Sequence, residues 1–306
     1  MVTDISRGGP IAKSKSTRLR WGLIATAVIM ILPSLIILAV VDIWPMISGI
    51  LLSLRGGNLL QPGNLVGLKN YETLFTTTEF WQSLEFTMIF AVASVFGSYL
   101  LGLPLALLLR GKVFGRGVFR ILLLLPWIVP LVVSIVSWDW IVGDPSGLLS
   151  KILMWMGLHP MYPLSYAGSA RVLVCVVKVW TSYPFMFMTC LAALEGIDST
   201  LYEAASIDGA SKFQQFRYIT IPQIKGISII AWILMAIWSV NDFGTPWLLT
   251  QGGPVNATEI LPVLAYKDAF VNQNVGQGAA IAVISLILLM ALAALLLRLM
   301  NRVNDD

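Results

Sequence analysis

Three ionisable side chains stand inside long apolar runs of this sequence: Lys178, Asp242 and Asp139. A charge in lipid costs about 2.5–3.5 kcal/mol on insertion scales, so such groups usually pair with one another or face a polar cavity. Their positions leave two interpretations open. They either form a structural ion pair or snorkel to the interface, or they line a vestibule for a polar solute.

Aromatic and amide side chains flank two of these charges. Ligand sites combine apolar or aromatic surfaces with a few placed polar groups, and this combination suits a hydroxyl-rich solute such as a sugar. Aromatic residues also mark membrane interfaces, so each residue alone is a weak indicator. The predicted solute pathway consists of Lys178, Trp180, Tyr183, Trp238, Asn241 and Asp242.

The sequence contains no residue set for covalent, metal or nucleotide chemistry. It has no Gly-x4-Gly-Lys-Ser/Thr phosphate loop, and "RGKVFGRG" resembles one only superficially. His159 is the single histidine, and no cysteine or carboxylate cluster surrounds it. Cys175 and Cys190 share one predicted helix about 22 Å apart, which is too far for a disulfide. We therefore expect no catalytic residue, no metal and no cofactor in this chain.

The composition predicts that these residues are positioned by membrane-spanning helices. Of the 306 residues 57% are hydrophobic and 12% are charged, whereas soluble domains carry about 25% charged residues. Lipid offers no partners to unpaired backbone groups, so runs of about 20 apolar residues must be helices. The fold class expected is an all-α membrane protein with one domain over 22–299, between tails 1–21 and 300–306. The six predicted transmembrane helices are 22–43, 86–109, 119–142, 172–194, 226–249 and 278–299.

The distribution of positive charge predicts the orientation of these spans. Fourteen of the 20 lysines and arginines fall in the two tails, between spans two and three, or between spans four and five. Such an excess belongs in the cytoplasm. Both termini and the segment 198–224 are therefore predicted to be cytoplasmic. Orientation explains the basic amino tail, so nucleic acid is not expected as a partner. The first apolar run is too long for a signal peptide.

The segment 198–224 contains helix start and stop signals, which predict a fixed shape rather than a solvated connector. Thr200 with Glu203 and Ser211 with Gln214 each fit a capping box, which begins a short helix. Gly209 suits the left-handed stop between these helices, and the second is expected to end or bend at Pro222. The second helix has one apolar edge, formed by residues at three-residue steps: Phe213, Phe216 and Ile219. On pattern alone, an amphipathic hairpin resting on lipid headgroups remains an alternative.

The same segment resembles the EAA signature of ABC importer permeases. Its fixed positions are occupied by Glu203, Ala204, Ala205, Gly209, Ile219 and Pro222. Ile221 departs from the usual leucine. The stretches "LPWIVP", "VWTSYPF" and "PWLLTQGGPVNATE" are similar to the carbohydrate-uptake branch, the six-span sugar permeases related to the maltose and glycerol-3-phosphate systems.

The resemblance implies a mechanism and a set of partners. In that family a cytoplasmic helix pair seats in a groove of an ATPase subunit. Glu203 would be the polar contact, Ala204 and Ala205 would permit close approach, and Gly209 would hold the bend. Phe213 and Phe216 would be apolar anchors, and Asp208, Ile219 and Pro222 complete the coupling set. The implied partners are a second homologous permease in a heterodimer, two ATPase subunits that bind ATP and Mg, and an extracytoplasmic solute-binding protein, all at the inner or plasma membrane of a prokaryote.

The sequence leaves alternatives open for the transported solute and for the energy source of transport. A sugar is the first expectation, and glycerol-3-phosphate or a glycerophosphodiester is the second because Lys178 supplies a positive charge. An ion-coupled secondary carrier is the alternative from another class. Such carriers usually show an internal repeat and their own coupling sites deep in the spans, and neither is evident in this sequence.

Overall fold

The computed structural model describes residues 26, 28–58, 61–111, 113–143 and 147–305. The predicted tail 1–21 and Asp306 lie outside the described residues. The chain divides into two units, Met1–Leu51 and Leu52–Asp306. In chain order the elements are α1 (Val28–Ser53), β1 (Arg55–Gly57), β2 (Pro62–Leu65), α2 (Lys69–Thr76), α3 (Thr78–Arg110), α4 (Arg116–Ile128), α5 (Leu131–Val142), α6 (Leu148–Trp155), α7 (Ala167–Glu195), α8 (Ser199–Ile207), α9 (Lys212–Val240), α10 (Gly244–Thr250), α11 (Leu261–Tyr266) and α12 (Val275–Asp305).

The described part of the chain contains five helices that are long and apolar enough to cross a membrane. They are α1, α3, α7, α9 and α12, and a sixth span results if α4 and α5 count as one bent span. The predicted all-α class needs one amendment. β1 and β2 pair antiparallel, with Arg55 opposite Leu65 and Gly57 opposite Pro62. Gly57 has φ +102°, a conformation that only glycine adopts without strain.

The predicted continuous span 119–142 is broken in the structure. α4 and α5 meet at an angle of 91°. Proline has no N–H to donate to a helix, and it disfavours helical geometry at the residue before it. Val129 accordingly has an extended backbone (φ −68°, ψ 132°), and Pro130 follows it in the same region (φ −54°, ψ 136°). The break places the amino end of α5 at a cavity beside α7 and α9.

The predicted span 226–249 is displaced toward the amino end in the structure. α9 already begins at Lys212 and ends at Val240, and a separate short helix, α10, begins at Gly244. Asp242 occupies the turn between them. Its carboxylate accepts hydrogen bonds from the Thr245 backbone N–H (3.0 Å) and the Thr245 hydroxyl (2.7 Å). These contacts favour a new helix start over continuation of α9.

The centre of the second unit is the pair α3 and α7. Glycines on α3 let the two backbones approach, as small residues do between membrane helices. A Cβ placed on Gly97 would lie 2.6 Å from the Val179 side chain, and one on Gly102 would lie 2.7 Å from the backbone nitrogen of Phe187. The packing of α3 against α7 therefore depends on these two positions having no side chain.

Two apolar clusters mark the two ends of this unit. The elbow-end cluster joins α3, α7 and α9 near residues 198–224, the segment that we call the elbow. It is built from Leu103, Ala106, Leu109, Phe187, Cys190, Leu191, Ala193, Leu194, Ile197 and Ile224. The loop-end cluster lies at the other end of the helices and includes Phe86, Ile135, Val142, Val174, Leu249 and Ile260.

At the loop end a buried carboxylate holds the segment between α10 and α11. Glu259 is fully buried and is ion-paired with Lys267. It also accepts a hydrogen bond from the Ser83 hydroxyl at 3.1 Å. Burial raises the pKa of Glu259, and the Lys267 ammonium opposes that rise. The sequence analysis did not single out this pair.

Candidate coupling elbow and solute cavity

The first arm of the elbow is α8, and it begins two residues earlier than the sequence predicted. Asp198 is the N-cap, and its carboxylate accepts a hydrogen bond from the Thr200 backbone N–H at 2.9 Å. That hydrogen bond holds the pKa of Asp198 below its ordinary value. The predicted capping box of Thr200 and Glu203 is therefore wrong. Because Glu203 is not used in a cap, its side chain is exposed.

The predicted glycine stop at the end of α8 is confirmed. Gly209 has φ +79°, and the Ala210 N–H donates to the Ala205 carbonyl at 2.9 Å. This is the arrangement in which a left-handed residue ends a helix and satisfies its last carbonyls. Asp208 is the C-cap residue and is exposed.

The second arm starts as predicted but continues further. Ser211 and Gln214 form the capping box, with the Ser211 N–H donating to Gln214 Oε1 at 2.7 Å and the Gln214 N–H donating to Ser211 Oγ at 3.3 Å. The helix then passes through a π turn, Phe216–Thr220, into the rest of α9. Pro222 lies in the first turn after the π turn and does not end the helix. The wider turn accommodates a residue that lacks an N–H.

The outer face of the elbow differs from the predicted apolar edge. Phe213 is 73% exposed, but Phe216 is half-buried against the elbow-end cluster and Ile219 is also partly covered. Another exposed apolar side chain of the elbow is Ile207 on α8, which is 87% exposed. Ile207 lies four residues after Glu203 and shares its helix face. Helical spacing could have identified Ile207 from the sequence.

Ala204 is exposed beside Glu203, whereas Ala205 is partly covered. Glu203, Ala204 and Ile207 share one exposed face of α8, and Phe213 is exposed at the start of the second arm. Large exposed apolar side chains on a segment outside the predicted spans indicate a contact surface when they are grouped in this way. We call this group the outer face of the elbow.

Buried hydrogen bonds join the two arms of the elbow. Gln215 is 4% exposed, and its amide donates to Ser206 Oγ (2.9 Å) and to the Ala210 carbonyl (3.1 Å). The Tyr202 hydroxyl lies 2.9 Å from Thr220 Oγ1. A buried amide with both donor hydrogens satisfied stabilises one arrangement, because leaving it unsatisfied costs about 1–3 kcal/mol. The arms are thereby held at a fixed angle.

The break between α4 and α5 opens a cavity of about 280 Å³ beside α7 and α9. Its polar groups are Lys178, Thr181 and Ser182, and its aromatic groups are Trp127, Phe185 and Trp238. The Phe185 ring lies between the other two, with centroid distances of 6.4 Å to Trp127 and 4.9 Å to Trp238. Hydroxyl groups and aromatic faces therefore line one cavity at the broken span.

Lys178 and Asp242 form an ion pair at the edge of this cavity. Lys178 Nζ lies 2.8 Å from Asp242 Oδ2, and the two side chains are 11% and 9% exposed. Asp242 therefore contacts both the cation on α7 and the first turn of α10. The ion-pair interpretation of these charges is confirmed. Asp139 is not in the pair, and it is exposed on α5.

The structure separates the other predicted pathway residues from the cavity. Trp180 contacts Trp138 with ring centroids 5.7 Å apart, beside an apolar groove of about 580 Å³. Tyr183 packs against the elbow-end cluster. Asn241 is exposed and donates back to the Ile237 carbonyl at 3.2 Å. The sequence analysis missed Trp127, Thr181, Ser182 and Phe185. Thr181 and Ser182 lie three and four residues after Lys178, so helical spacing could have identified them.

Known proteins match this chain over most of its length. The family model for "Binding-protein-dependent transport system inner membrane component" matches residues 98–305. The chain is 36% identical to the trehalose/maltose transport system permease protein MalF of Thermococcus litoralis, over 88% of this chain and 92% of that protein. It is 34% identical to the diacetylchitobiose uptake system permease protein DasB of Streptomyces coelicolor, over 86% and 83%. Among solved structures, a chain of a bacterial alginate ABC transporter in complex with alginate pentasaccharide-bound periplasmic protein superposes with a TM-score of 0.81. That superposition covers 94% of this chain and 97% of the other at 20% identity, and it shows a common fold.

Proposed function

The chain belongs to the family of inner membrane components of binding-protein-dependent transport systems, and we propose that it forms half of a translocation pathway for an uncharged sugar, driven by a separate ATPase. It is a multi-pass membrane permease of the ABC transporter class. This membership replaces the ion-coupled secondary carrier as an interpretation. The observation that carries the proposal is the elbow, whose arms are joined by buried hydrogen bonds and whose outer face is exposed.

The outer face of the elbow suits a groove on a partner. Ile207 and Phe213 present apolar side chains at 87% and 73% exposure, and buried aromatic or aliphatic anchors dominate protein interfaces. Glu203 would reach a basic or amide group of the partner, since a carboxylate buried in an interface must be paired. In this proposal the partner is an ATPase subunit in the cytoplasm, which binds ATP and Mg. Both termini of the permease face the same side.

The cavity supports an uncharged solute. Its single cation, Lys178, is already neutralised by Asp242 at 2.8 Å, so a phosphate group would have to compete with a buried carboxylate. Thr181, Ser182 and Trp238 offer hydroxyl groups and an aromatic face. A volume of about 280 Å³ is just below the ~300–1,000 Å³ usual for ligand pockets. That size is consistent with a site completed by a second, homologous permease. Glycerol-3-phosphate and glycerophosphodiesters are therefore disfavoured relative to a neutral sugar.

Co-purification from native membranes tests the coupling proposal. The tagged chain is expected to retain an ATPase, a sister permease and, on the other face, a solute-binding protein. Glu203→Lys is expected to lose the ATPase while it keeps the sister permease, because only the outer face of the elbow is altered. Glu72→Lys is the matched control, since Glu72 is an exposed carboxylate in the first turn of α2. Retention of the ATPase by the Glu203 variant at the level of the control contradicts the proposal.

Uptake into proteoliposomes that contain the purified complex and its binding protein tests the cargo. Radiolabelled maltose, diacetylchitobiose and glycerol-3-phosphate are compared at equal concentration. Saturable, ATP-dependent uptake of at least one neutral sugar is expected, without uptake of the phosphate. Uptake of glycerol-3-phosphate alone would overturn the cargo assignment and leave the coupling proposal standing.

A further inference from the structure

Tyr202 connects the first arm of the elbow to the end of α3 and to the second arm of the elbow. Its ring lies under the guanidinium of Arg110, with Arg110 Cζ 4.4 Å from the ring centroid. Its hydroxyl lies 2.9 Å from Thr220 Oγ1. Arg110 is the last residue of α3, and Thr220 lies in the π turn of α9. One side chain of α8 therefore contacts both the last residue of α3 and the second arm of the elbow, which continues into the rest of α9.

The position of α8 depends on contacts of this kind. α8 has only nine residues, and turns flank it at both ends. Its described neighbours Glu203, Ala204 and Ile207 face outward. On the inner side the Tyr202 ring packs against the elbow-end cluster. Gln215 joins the two arms of the elbow to each other, through its hydrogen bonds to Ser206 and Ala210. Tyr202 is thus an aromatic contact between α8 and the spans, as Phe216 is for the second arm.

We propose that Tyr202 is a positioning residue that fixes α8 against the end of α3 and against the second arm of the elbow, so that a displacement of α8 by the ATPase is passed to α3 and, through that arm, to α9. This inference rests on the proposed coupling function. An aromatic ring suits the role because it has only two rotatable side-chain bonds, and a guanidinium over its face adds a directional attraction. Energetic coupling between distant sites requires such contiguous contacts between rigid elements.

A neighbouring set of polar contacts provides the matched control. Glu195, the last residue of α7, accepts from Arg116 (2.6 Å) and Arg120 (2.5 Å) of α4. This carboxylate is 41% exposed, and exposed ion pairs of this kind contribute little. The set joins α7 to α4, and Arg116 also donates to the Arg110 and Gly111 carbonyls at 3.4 and 3.5 Å. The side chain that covers Tyr202 is that of Arg110, which is not part of this set. Glu195→Gln therefore alters charge at the elbow end without altering the contact between the elbow and the spans.

The first experiment measures the position of α8 in the full chain. Spin labels at Leu201 and at Leu108, both exposed, report the distance between α8 and α3 in lipid nanodiscs. The distance distribution is expected to be narrow in the parent and in Glu195→Gln. It should broaden at least about twofold in Tyr202→Leu and Arg110→Gln, since one rigid contact is replaced by rotation about flanking turns. Tyr202→Phe keeps the ring under Arg110 but loses the hydroxyl contact with Thr220, so its distribution should lie between those of the parent and Tyr202→Leu.

The second experiment measures coupling in the assembled complex. We expect Tyr202→Leu to raise ATP hydrolysis without binding protein by about 3- to 10-fold, because contacts that carry coupling modulate it by ~2- to 30-fold. In Tyr202→Leu the elbow no longer transmits to the ATPase the restraint that the spans impose in the resting state. Tyr202→Phe and Arg110→Lys should remain within about twofold of the parent, and their retained activity keeps the test valid if Tyr202→Leu folds poorly.

Unchanged distance widths and an unchanged hydrolysis rate in Tyr202→Leu overturn this inference. So does equal broadening in Glu195→Gln. Loss of all ATPase association by the parent chain would instead refute the proposed function. The distance measurement needs no ATPase, so it still decides whether Tyr202 fixes the elbow.

Discussion

Neutralising Asp242 tests the buried ion pair with Lys178. In Asp242→Asn the amide oxygen can still accept from the Thr245 backbone N–H, so the contact with the first turn of α10 is kept while the charge is removed. Lys178 is then left 11% exposed without its counter-charge. Breaking a buried pair by removing one partner costs ~3–5 kcal/mol. At about 2 °C per kcal/mol for a chain of this length, Tm should fall by about 6–10 °C.

The double variant Lys178→Met with Asp242→Asn separates the pair from its surroundings. Replacing a whole buried pair by neutral groups is often neutral, so Tm should recover to within about 3 °C of the parent. Lys178→Met alone should be as destabilised as Asp242→Asn, because an uncompensated carboxylate remains. The assay is thermal unfolding in nanodiscs, followed by tryptophan fluorescence. Single variants within 1 °C of the parent, or a double variant with the summed loss, would refute a strong pair between these groups.

Three further changes test the helix contacts and the elbow. Gly102→Ala should lower the free energy of unfolding by ~1–3 kcal/mol, because the methyl group would overpack against the Phe187 backbone. Gly226 is a helical position with open space, so Gly226→Ala should be neutral or stabilising by up to ~1 kcal/mol in the same unfolding assay. Gly209→Ala should cost ~1–2 kcal/mol because φ is +79°, and faster amide exchange across 199–207 would accompany the lower Tm; unchanged exchange would contradict this. Asp198 has a lowered pKa, so its cap contributes above the ordinary value of 3.8 and is lost as pH falls through the lowered pKa. Amide protection of α8 should therefore drop below about pH 3.8 in the parent but not in Asp198→Asn, and equal pH profiles would count against the cap.

Local sequence rules predicted the parts of the fold that depend on neighbouring residues. The Gly209 stop and the Ser211 capping box follow from backbone geometry within a few residues, and both are present. The Thr200 capping box failed because Asp198 is a competing cap two residues earlier. Pro222 failed as a helix end because a π turn before it absorbs the missing hydrogen bond, and no sequence pattern announces such a turn.

The solute cavity was less predictable because it depends on the break in the third span. A hydropathy window reads 119–142 as one apolar run, although Pro130 bends it by 91°. The bend brings Trp127 to the cavity and leaves Trp180 and Tyr183 elsewhere. Charges inside apolar runs were the more reliable signal. Lys178 and Asp242 had to find a partner in lipid, and in the structure they pair with each other.

Site-specific photocrosslinking in native membranes tests most directly that the elbow is the place where an ATPase drives this permease. A photoreactive phenylalanine replaces Ile207 or Phe213 on the outer face of the elbow, and Val255, which is 95% exposed at the loop end, is the control. Covalent capture of a nucleotide-hydrolysing subunit from Ile207 and Phe213, and none from Val255, is the expected result. Capture of that subunit from Val255, or its absence at both elbow positions in an assembled complex, would contradict a coupling role for the elbow.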